Sequence, residues 1–527
     1  LCMRKIALYP FLLALYPVVY LVAVNIDQIN PLMAVRSLAI PLIGCALLFL
    51  LIALFTRSWQ KAALAAAFWV VAIYLLFFFA YVPIYQAVEK AVILGVNIGR
   101  HRTLLILLVA LLAAGSLFIV TRKGISGTLT AFLNVIAIAA IIIPVGQIVA
   151  YKIQTSEIVA RMQADFQPDS AVSLAEGETA PDVYYIILDM YTRADVLKDY
   201  FSFDNAALLD YLTGQGFYVA ECSQSNYNST QYSIGSSLNM DYLDTLGLEV
   251  EDPDLVGAVQ QNRVMALFKD LGYRTVAFET GFSITEIQNA DEYFSPFKNV
   301  WDGLFYGGVN SFEAMILKNS AGTLLYEAKP NLAKKYQTIL DTPYIQYRER
   351  IVYSLDKLES IAGMEGPKFV FAHILAPHDP FVFDQHGNFV YRETPFTLNN
   401  DQEYVIPGTY VAGYTGELQY LNTRVKAVVD AILAESDTPP VIILQGDHGA
   451  PRTWEIKGDT AILNAYYFPQ QGSEQLYTTI SPVNTFRIVF NQYFNGQFPL
   501  LADRSYRVDK ILNGYVETSG YPCPAVP

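Results

Sequence analysis

Val441-Ile442-Ile443-Leu444-Gln445-Gly446-Asp447-His448-Gly449 is the stretch that decides the fold. Four apolar residues in a row, entered from Pro439-Pro440, predict a strand buried on both faces, as in a parallel sheet. The run ends in an Asp-His pair flanked by glycines. In open α/β sheets, ligands bind beyond the carboxyl ends of the strands. An Asp and a His side by side there offer an oxygen and a nitrogen to one divalent metal. The plainer alternative is an Asx turn carrying a surface His.

A second run of this kind is Val183-Tyr184-Tyr185-Ile186-Ile187-Leu188, closed by Asp189. Further strands are predicted at Phe217–Ala220, Arg274–Phe278, Lys368–Leu375 and Ala465–Phe468. Helical periodicity is predicted at Thr230–Met240, Asn262–Leu271, Thr342–Ala362, Tyr414–Ala434 and Asn484–Tyr493. Residues 280–335, rich in Gly, Asn and aromatics, resolve into no pattern. Strands alternating with helices over this length predict a three-layer α/β domain with a mainly parallel sheet.

The front of the chain reads differently. The 527 residues are 53% hydrophobic and only 16% charged, and the apolar excess lies in five runs: Ile6–Ile26, Ser37–Thr56, Ala62–Tyr85, Thr103–Thr121 and Thr128–Ala150. None holds a charged residue, and each approaches the roughly 20 residues that span a bilayer. The expected organisation is a five-helix transmembrane domain (residues 1–152), a polar stalk (153–180) and a globular domain (181–527). Arg4, Lys5, Arg57, Lys61, Arg122 and Lys123 occupy one set of loops, which predicts an inside N-terminus and an outside globular domain. The expected location is the plasma membrane, multi-pass, with the globular domain extracytoplasmic. Residues 1–152 hold 11 basic and 2 acidic side chains; the remainder holds 24 and 47. So acidic an outer domain repels nucleic acid, and no nucleic-acid partner is expected. Cys222 and Cys523 either pair outside the cytoplasm or stay as two buried thiols.

Four positions carry the chemistry. Asp189 and Asp447 end strands, His448 follows Asp447, and Thr230 opens a helix, where free N–H groups suit an anion. A Thr hydroxyl is a weak nucleophile near neutral pH; a divalent metal held by Asp189, Asp447 and His448 would activate it and neutralise phosphoryl charge. Alternatively, Thr230 is an ordinary helix cap and Asp189 caps a turn. His378, in Ala376-Pro377-His378-Asp379-Pro380, either clamps a phosphate oxygen or protonates a leaving group, or is a His of a Pro-rich turn satisfied by backbone. His373, inside a strand pattern, reads as structural or supporting.

The order strand-Asp189, Thr230-x-x-Ser233, His373-x-x-x-Pro377-His378, Gly446-Asp447-His448-Gly449 resembles the alkaline phosphatase superfamily, in particular its sulfatase-like branch. Five spans followed by such a domain resemble lipoteichoic acid synthases and phosphoethanolamine transferases. The resemblance implies that Thr230 is the nucleophile that becomes phosphorylated. It implies that Asp189, Thr230, Asp447 and His448 surround one divalent metal (Mn, Zn or Mg), and that His378 meets the substrate. Sulfatases carry an oxidisable Cys or Ser in a Cys/Ser-x-Pro-x-Arg motif, whereas Thr230-Gln231-Tyr232-Ser233-Ile234 has neither the Pro nor the Arg. Sulfatases also often have a second Asp where Met190 stands. The expected activity is a membrane-anchored transferase of the cell envelope, moving a phospho-substituent from a phospholipid donor to a glycan or lipid. The alternatives are a metal-dependent phosphoester or sulfate-ester hydrolase, and an inactive scaffold domain.

Overall fold

The computed structural model describes residues 6–26, 31–74, 92–93, 96–97, 101–122, 124–165, 172–174, 179–252, 254–298, 302, 307–398, 407–450, 458–469, 472–509, 511 and 513–523. The chain forms two compact units. The first comprises Leu1–Lys152, Leu304–Pro343 and Arg392–Thr397; the second comprises Ile153–Gly303, Tyr344–Tyr391 and Leu398–Pro527.

In the first unit four of the apolar runs lie on helices Tyr9–Val24, Val35–Thr56, His101–Thr121 and Gly127–Asp165, and the run expected at Ala62–Tyr85 lies on Trp59–Tyr74 as far as Tyr74, its remainder, 75–85, being outside the described residues. Among the described residues, two stretches are long and apolar enough to cross a membrane, Pro31–Thr56 and Gly127–Gln154. The other three are apolar over shorter lengths. Small side chains let the helices approach: Ala62, Ala63, Ala66 and Ala67 are buried with Tyr9, Ala14, Cys45 and Phe49. Asn134 closes the start of the first helix. Its Oδ1 accepts from the Leu8 and Tyr9 amides at 2.9 and 3.0 Å, and its Nδ2 donates to the Ile6 carbonyl at 2.7 Å. Those amides have no partner inside the helix, so the Asn supplies what water cannot in an apolar setting. A two-residue antiparallel ladder pairs β1 (Val92–Ile93) with β2 (Val96–Asn97). The stretch expected to begin a stalk is, as far as Asp165, the continuation of the Gly127–Asp165 helix.

The second unit is built on a seven-stranded mixed sheet. In chain order the strands are β3 (Val183–Leu188), β4 (Tyr218–Val219), β5 (Arg274–Phe278), β6 (Glu292–Phe294), β7 (Lys368–Ile374), β8 (Val441–Gly446) and β9 (Asn464–Tyr467). Their spatial order is β4-β9-β8-β3-β7-β5-β6. The five strands from β8 to β6 run parallel; β9 is antiparallel to both β8 and β4. The apolar runs β3 and β8 are buried at every position, as strands covered on both faces must be. β3 is central, and its Leu188 pairs in register with Ile374 of β7 and with Gly446 of β8. Three carboxyl ends therefore finish level, and the next residues are Asp189, Leu375 and Asp447. Beneath them lies an aromatic core in which Phe268 stacks on Phe369 at 4.5 Å and meets Phe490 and Phe494.

Several elements differ from expectation. Residues 280–335, read as patternless, contain β6 and the helices Ser311–Lys318 and Thr323–Ala328. The first of these helices starts with a full capping box, Asn310 with Glu313, a signal present in the sequence. The long helix begins at Lys334 rather than Thr342 and runs to Ser360. A C-terminal hairpin, β10 (Ser505–Asp509) with β11 (Gly514–Thr518), was not foreseen. Cys222 and Cys523 form a disulfide, with Cα atoms 5.2 Å apart. The tail beside it is also held by Arg193, whose guanidinium donates to the Pro522 carbonyl at 3.2 Å.

Candidate active site

The site forms where the level strand ends meet the N-terminus of the Thr230–Asn239 helix. Ser229, extended at φ −155°, takes the cap position, so Thr230 is the first helical residue and not the cap. The first amide bonded within the helix is Ser233 N to Ser229 O, at 3.0 Å. The amides that precede it belong to the first turn, where the positive end of the helix dipole favours an anion. The helix is fixed to β8 by Ser233, whose hydroxyl donates to the Asp447 carbonyl at 2.5 Å.

Asp189, Asp447 and His448 come together. Among the described residues they are the group of His, Cys, Asp and Glu side chains with ligand atoms within 4.8 Å of one another. Asp447 Oδ1 accepts from the Met190 and His448 amides at 2.9 and 2.8 Å. Met190 stands at φ +64°, a left-handed turn that swings its amide onto Asp447. His448 Nδ1 lies 2.9 Å from the Gly449 carbonyl, which can only accept, so the proton sits on Nδ1 and the Nε2 lone pair faces the site. Nε2 is 3.3 Å from Thr230 Oγ1, 3.6 Å from Asp447 Oδ2 and 3.8 Å from Asp189 Oδ1. Asp189 Oδ1 and Asp447 Oδ2 are buried without a hydrogen-bond partner. Buried anionic oxygens left bare are costly. Two of them facing an imidazole lone pair make a donor set of two hard oxygens and one nitrogen, which fits a divalent ion.

His373 and His378 complete the surroundings. His373 Nε2 is 3.3 Å from Asp189 Oδ2, and its Nδ1 is 2.9 Å from Thr285 Oγ1. This is the supporting place its strand position suggested. His378 follows the Ala376–Pro377 bond, cis like Asp379–Pro380; its Nδ1 donates to the Asp379 carbonyl. Glu417 secures the next turn by accepting from the Val382 and Phe383 amides at 2.7 and 3.2 Å. Sequence reasoning missed Thr285 and Glu417, whose roles depend on contacts distant in sequence, and Asp379, which stood beside His378 in plain view.

The charges reinforce one another. Burial works to lower the affinity of His378 for its proton, but the carboxylates of Asp189, Asp379 and Asp447 outweigh it and push the pKa up to about 9. Burial works to raise Asp189, but the charge on His378 and the imidazoles of His373 and His448 hold it down at about 2. In the metal-free protein these carboxylates keep the proton on His378 through neutral pH. Its folded pKa lies above the ordinary 6.5. Its stabilising contribution is therefore complete below about 6.5 and is lost as pH rises through about 9. In metal-free protein the unfolding temperature is expected to fall over that window, and to fall less in His378→Gln.

The flanking glycines have a packing reason. A Cβ on Gly446 would lie 2.4 Å from the Tyr191 carbonyl, and one on Gly449 would lie 2.2 Å from the Gly458 carbonyl. Backbone cannot yield as a flexible side chain does. Gly446→Ala and Gly449→Ala are each expected to cost about 2–3 kcal/mol in denaturant unfolding. A cost under about 0.5 kcal/mol would contradict the packing.

The family model described as Sulfatase matches residues 181–482, more than half of the chain. No curated protein matches it. Among solved structures, it is similar to the C-terminal periplasmic domain of EcEptC from Escherichia coli in complex with Zn: 13% identity and TM-score 0.42, covering 67% of this chain and 96% of that one. The integral membrane lipooligosaccharide phosphoethanolamine transferase A (EptA) from Neisseria meningitidis aligns at 12% identity and TM-score 0.37, covering 93% and 95%. BT1596, a 2-O GAG sulfatase, aligns at 12% identity and TM-score 0.37, covering 61% and 72%.

Proposed function

This chain belongs to the sulfatase family, and from that premise we propose that it is a membrane-anchored, metal-dependent transferase. It moves a phospho-substituent from a phospholipid donor to a glycan or lipid hydroxyl through a phosphothreonine at Thr230. The observation that carries this reading is the Thr230 hydroxyl, 3.3 Å from His448 Nε2 at a helix N-terminus, facing the bare carboxylate oxygens of Asp189 and Asp447. The five apolar helices, read as five spans, hold the second unit outside the membrane as its anchor.

Asp189, Asp447 and His448, with Thr230 Oγ1, would hold the divalent ion. When bound, the ion would lower the hydroxyl pKa and neutralise charge on a phosphoryl oxygen. The amides at the start of the Thr230–Asn239 helix orient the phosphoryl group. Thr230 Oγ1, its proton given up to water, attacks phosphorus as the alkoxide, and the bond from phosphorus to the departing donor oxygen breaks. His378, in its protonated form, gives its proton to that oxygen. In the second half, the acceptor hydroxyl returns a proton to His378 and attacks phosphorus, and Thr230 Oγ1 leaves as the alkoxide that began the cycle.

The test is the full chain in phospholipid vesicles with Mn²⁺ or Zn²⁺ and a glycolipid acceptor, following donor loss and diacylglycerol release by mass spectrometry. Donor is expected to be consumed by the native chain and spared by Thr230→Ala, with the headgroup phosphate recovered on the acceptor. Untouched lipid, together with Thr230-dependent hydrolysis of a soluble phosphate or sulfate ester, would replace this reading with the hydrolase one.

A further inference from the structure

Within the first unit, Leu304–Pro343 is the stretch that intervenes in sequence between β6 and β7 yet packs among the N-terminal helices. It is fixed at the start of the Pro31–Thr56 candidate span. Arg36, one turn into that span, donates Nε to Glu313 Oε1 at 3.0 Å and Nη2 to both Glu313 Oε2 and the Gly308 carbonyl. Asn310 Nδ2 donates to the Met33 carbonyl at 2.9 Å. Phe312 is fully buried with Val18, Val22 and Ala34. A cation near the end of a bilayer-crossing helix commonly reaches to the interface, and here its partner comes from a segment 277 residues away in sequence. The contact level is thus the end of a candidate span.

The remainder of the segment is tied to itself. Tyr326 donates to the Leu340 carbonyl at 2.9 Å, and Lys329 pairs with buried Asp341. Yet it turns Leu325 (49%), Tyr336 (48%) and Ile339 (38%) outward. Tyr336 and Ile339 are three apart on one helix and so share a face, and Lys335 Nζ stands 4.7 Å over the Tyr336 ring. Three large outward apolar side chains in some forty residues compare with five, Ile153, Tyr391, Leu500, Ile511 and Val516, among the described residues of the whole second unit. An aromatic ring, a neighbouring Lys and aliphatic side chains, rigidly mounted at the end of a membrane span, have the composition of an interfacial element.

We propose that the 304–343 segment lies in the lipid–water interface and binds the phospholipid surface. Leu325, Tyr336 and Ile339 dip to the acyl boundary, and Lys335 stays level with the phosphates. This rests on the membrane anchorage proposed above but not on the transfer chemistry.

The experiment uses the full chain in phospholipid nanodiscs, with Cys2→Ser and Cys45→Ala and the Cys222–Cys523 disulfide intact. Spin labels are placed singly at Leu325→Cys, Tyr336→Cys and Ile339→Cys. Leu47→Cys, within the candidate span, is the lipid reference, and Thr245→Cys, in the second unit, is the aqueous one. The readout is collision with dissolved oxygen against collision with a water-soluble nickel chelate. The three segment labels are expected to be oxygen-dominated, like Leu47→Cys. Nickel-dominated labels at 325, 336 and 339 beside an oxygen-dominated Leu47→Cys would overturn the proposal alone. Labels shielded from both reagents would overturn it in favour of a second copy covering the face. Nickel access at Leu47→Cys as well would overturn the membrane anchorage and the proposal together.

Discussion

Thr230→Ala is expected to abolish turnover, with a loss of about 10⁴–10⁶-fold, while leaving folding intact. Losses of that size follow removal of a covalent nucleophile, because the remaining groups retain only binding and electrostatic catalysis. The fold should tolerate the change. Thr230 is at the first helical position, Ser229 already occupies the cap, and the hydroxyl's contact is with His448 Nε2. Thr230→Ser keeps a hydroxyl on the same backbone and should keep measurable activity. Comparing the two separates a nucleophile from a packing residue. Equal activity in Thr230→Ala and native protein would remove Thr230 from the chemistry.

The second large effect has two opposite signs. Asp447→Asn should lower metal affinity by more than about 100-fold, since changes one shell further out already cost 10–100-fold. Activity should fall with it. In metal-free protein the same substitution should raise stability, by about 1–3 kcal/mol. The amide oxygen can still accept from the Met190 and His448 amides. The buried charge whose second oxygen has no partner is gone. Denaturant unfolding with and without a chelator checks both halves. Metal should stabilise the native chain and leave Asp447→Asn unmoved. Destabilisation of the metal-free variant would mean that the carboxylate is a structural keystone and not a ligand kept ready.

These signs arise from features that the sequence exposed unevenly. β3 and β8 were legible because burial on both faces forces unbroken apolar runs, and their ends at Asp189 and Asp447 could be read to the residue. The Thr230 helix was legible from its apolar period, but only the geometry separates a cap from a first-turn residue. The edge strand β4 is two residues long and leaves almost no periodic trace. His373 was identifiable as buried, whereas its position between Asp189 and Thr285 depends on chain crossings that no local pattern records. The capping box at Asn310 and Glu313 was visible in principle. The pairing of Glu313 with Arg36 was not, because neither residue's neighbourhood in sequence hints at the other.

The most direct test of the Asp189–Thr230–Asp447–His448 centre is the mass of the peptide containing Thr230. The full chain, with metal, is mixed with a phospholipid donor, quenched within one turnover in acid-free denaturant and digested. The expected result is a phospho-substituent on Thr230, present with metal, absent after chelation, and absent in Asp447→Asn. Donor turnover with an unmodified Thr230 peptide, or with the added mass on another residue, would contradict a nucleophilic threonine at this site.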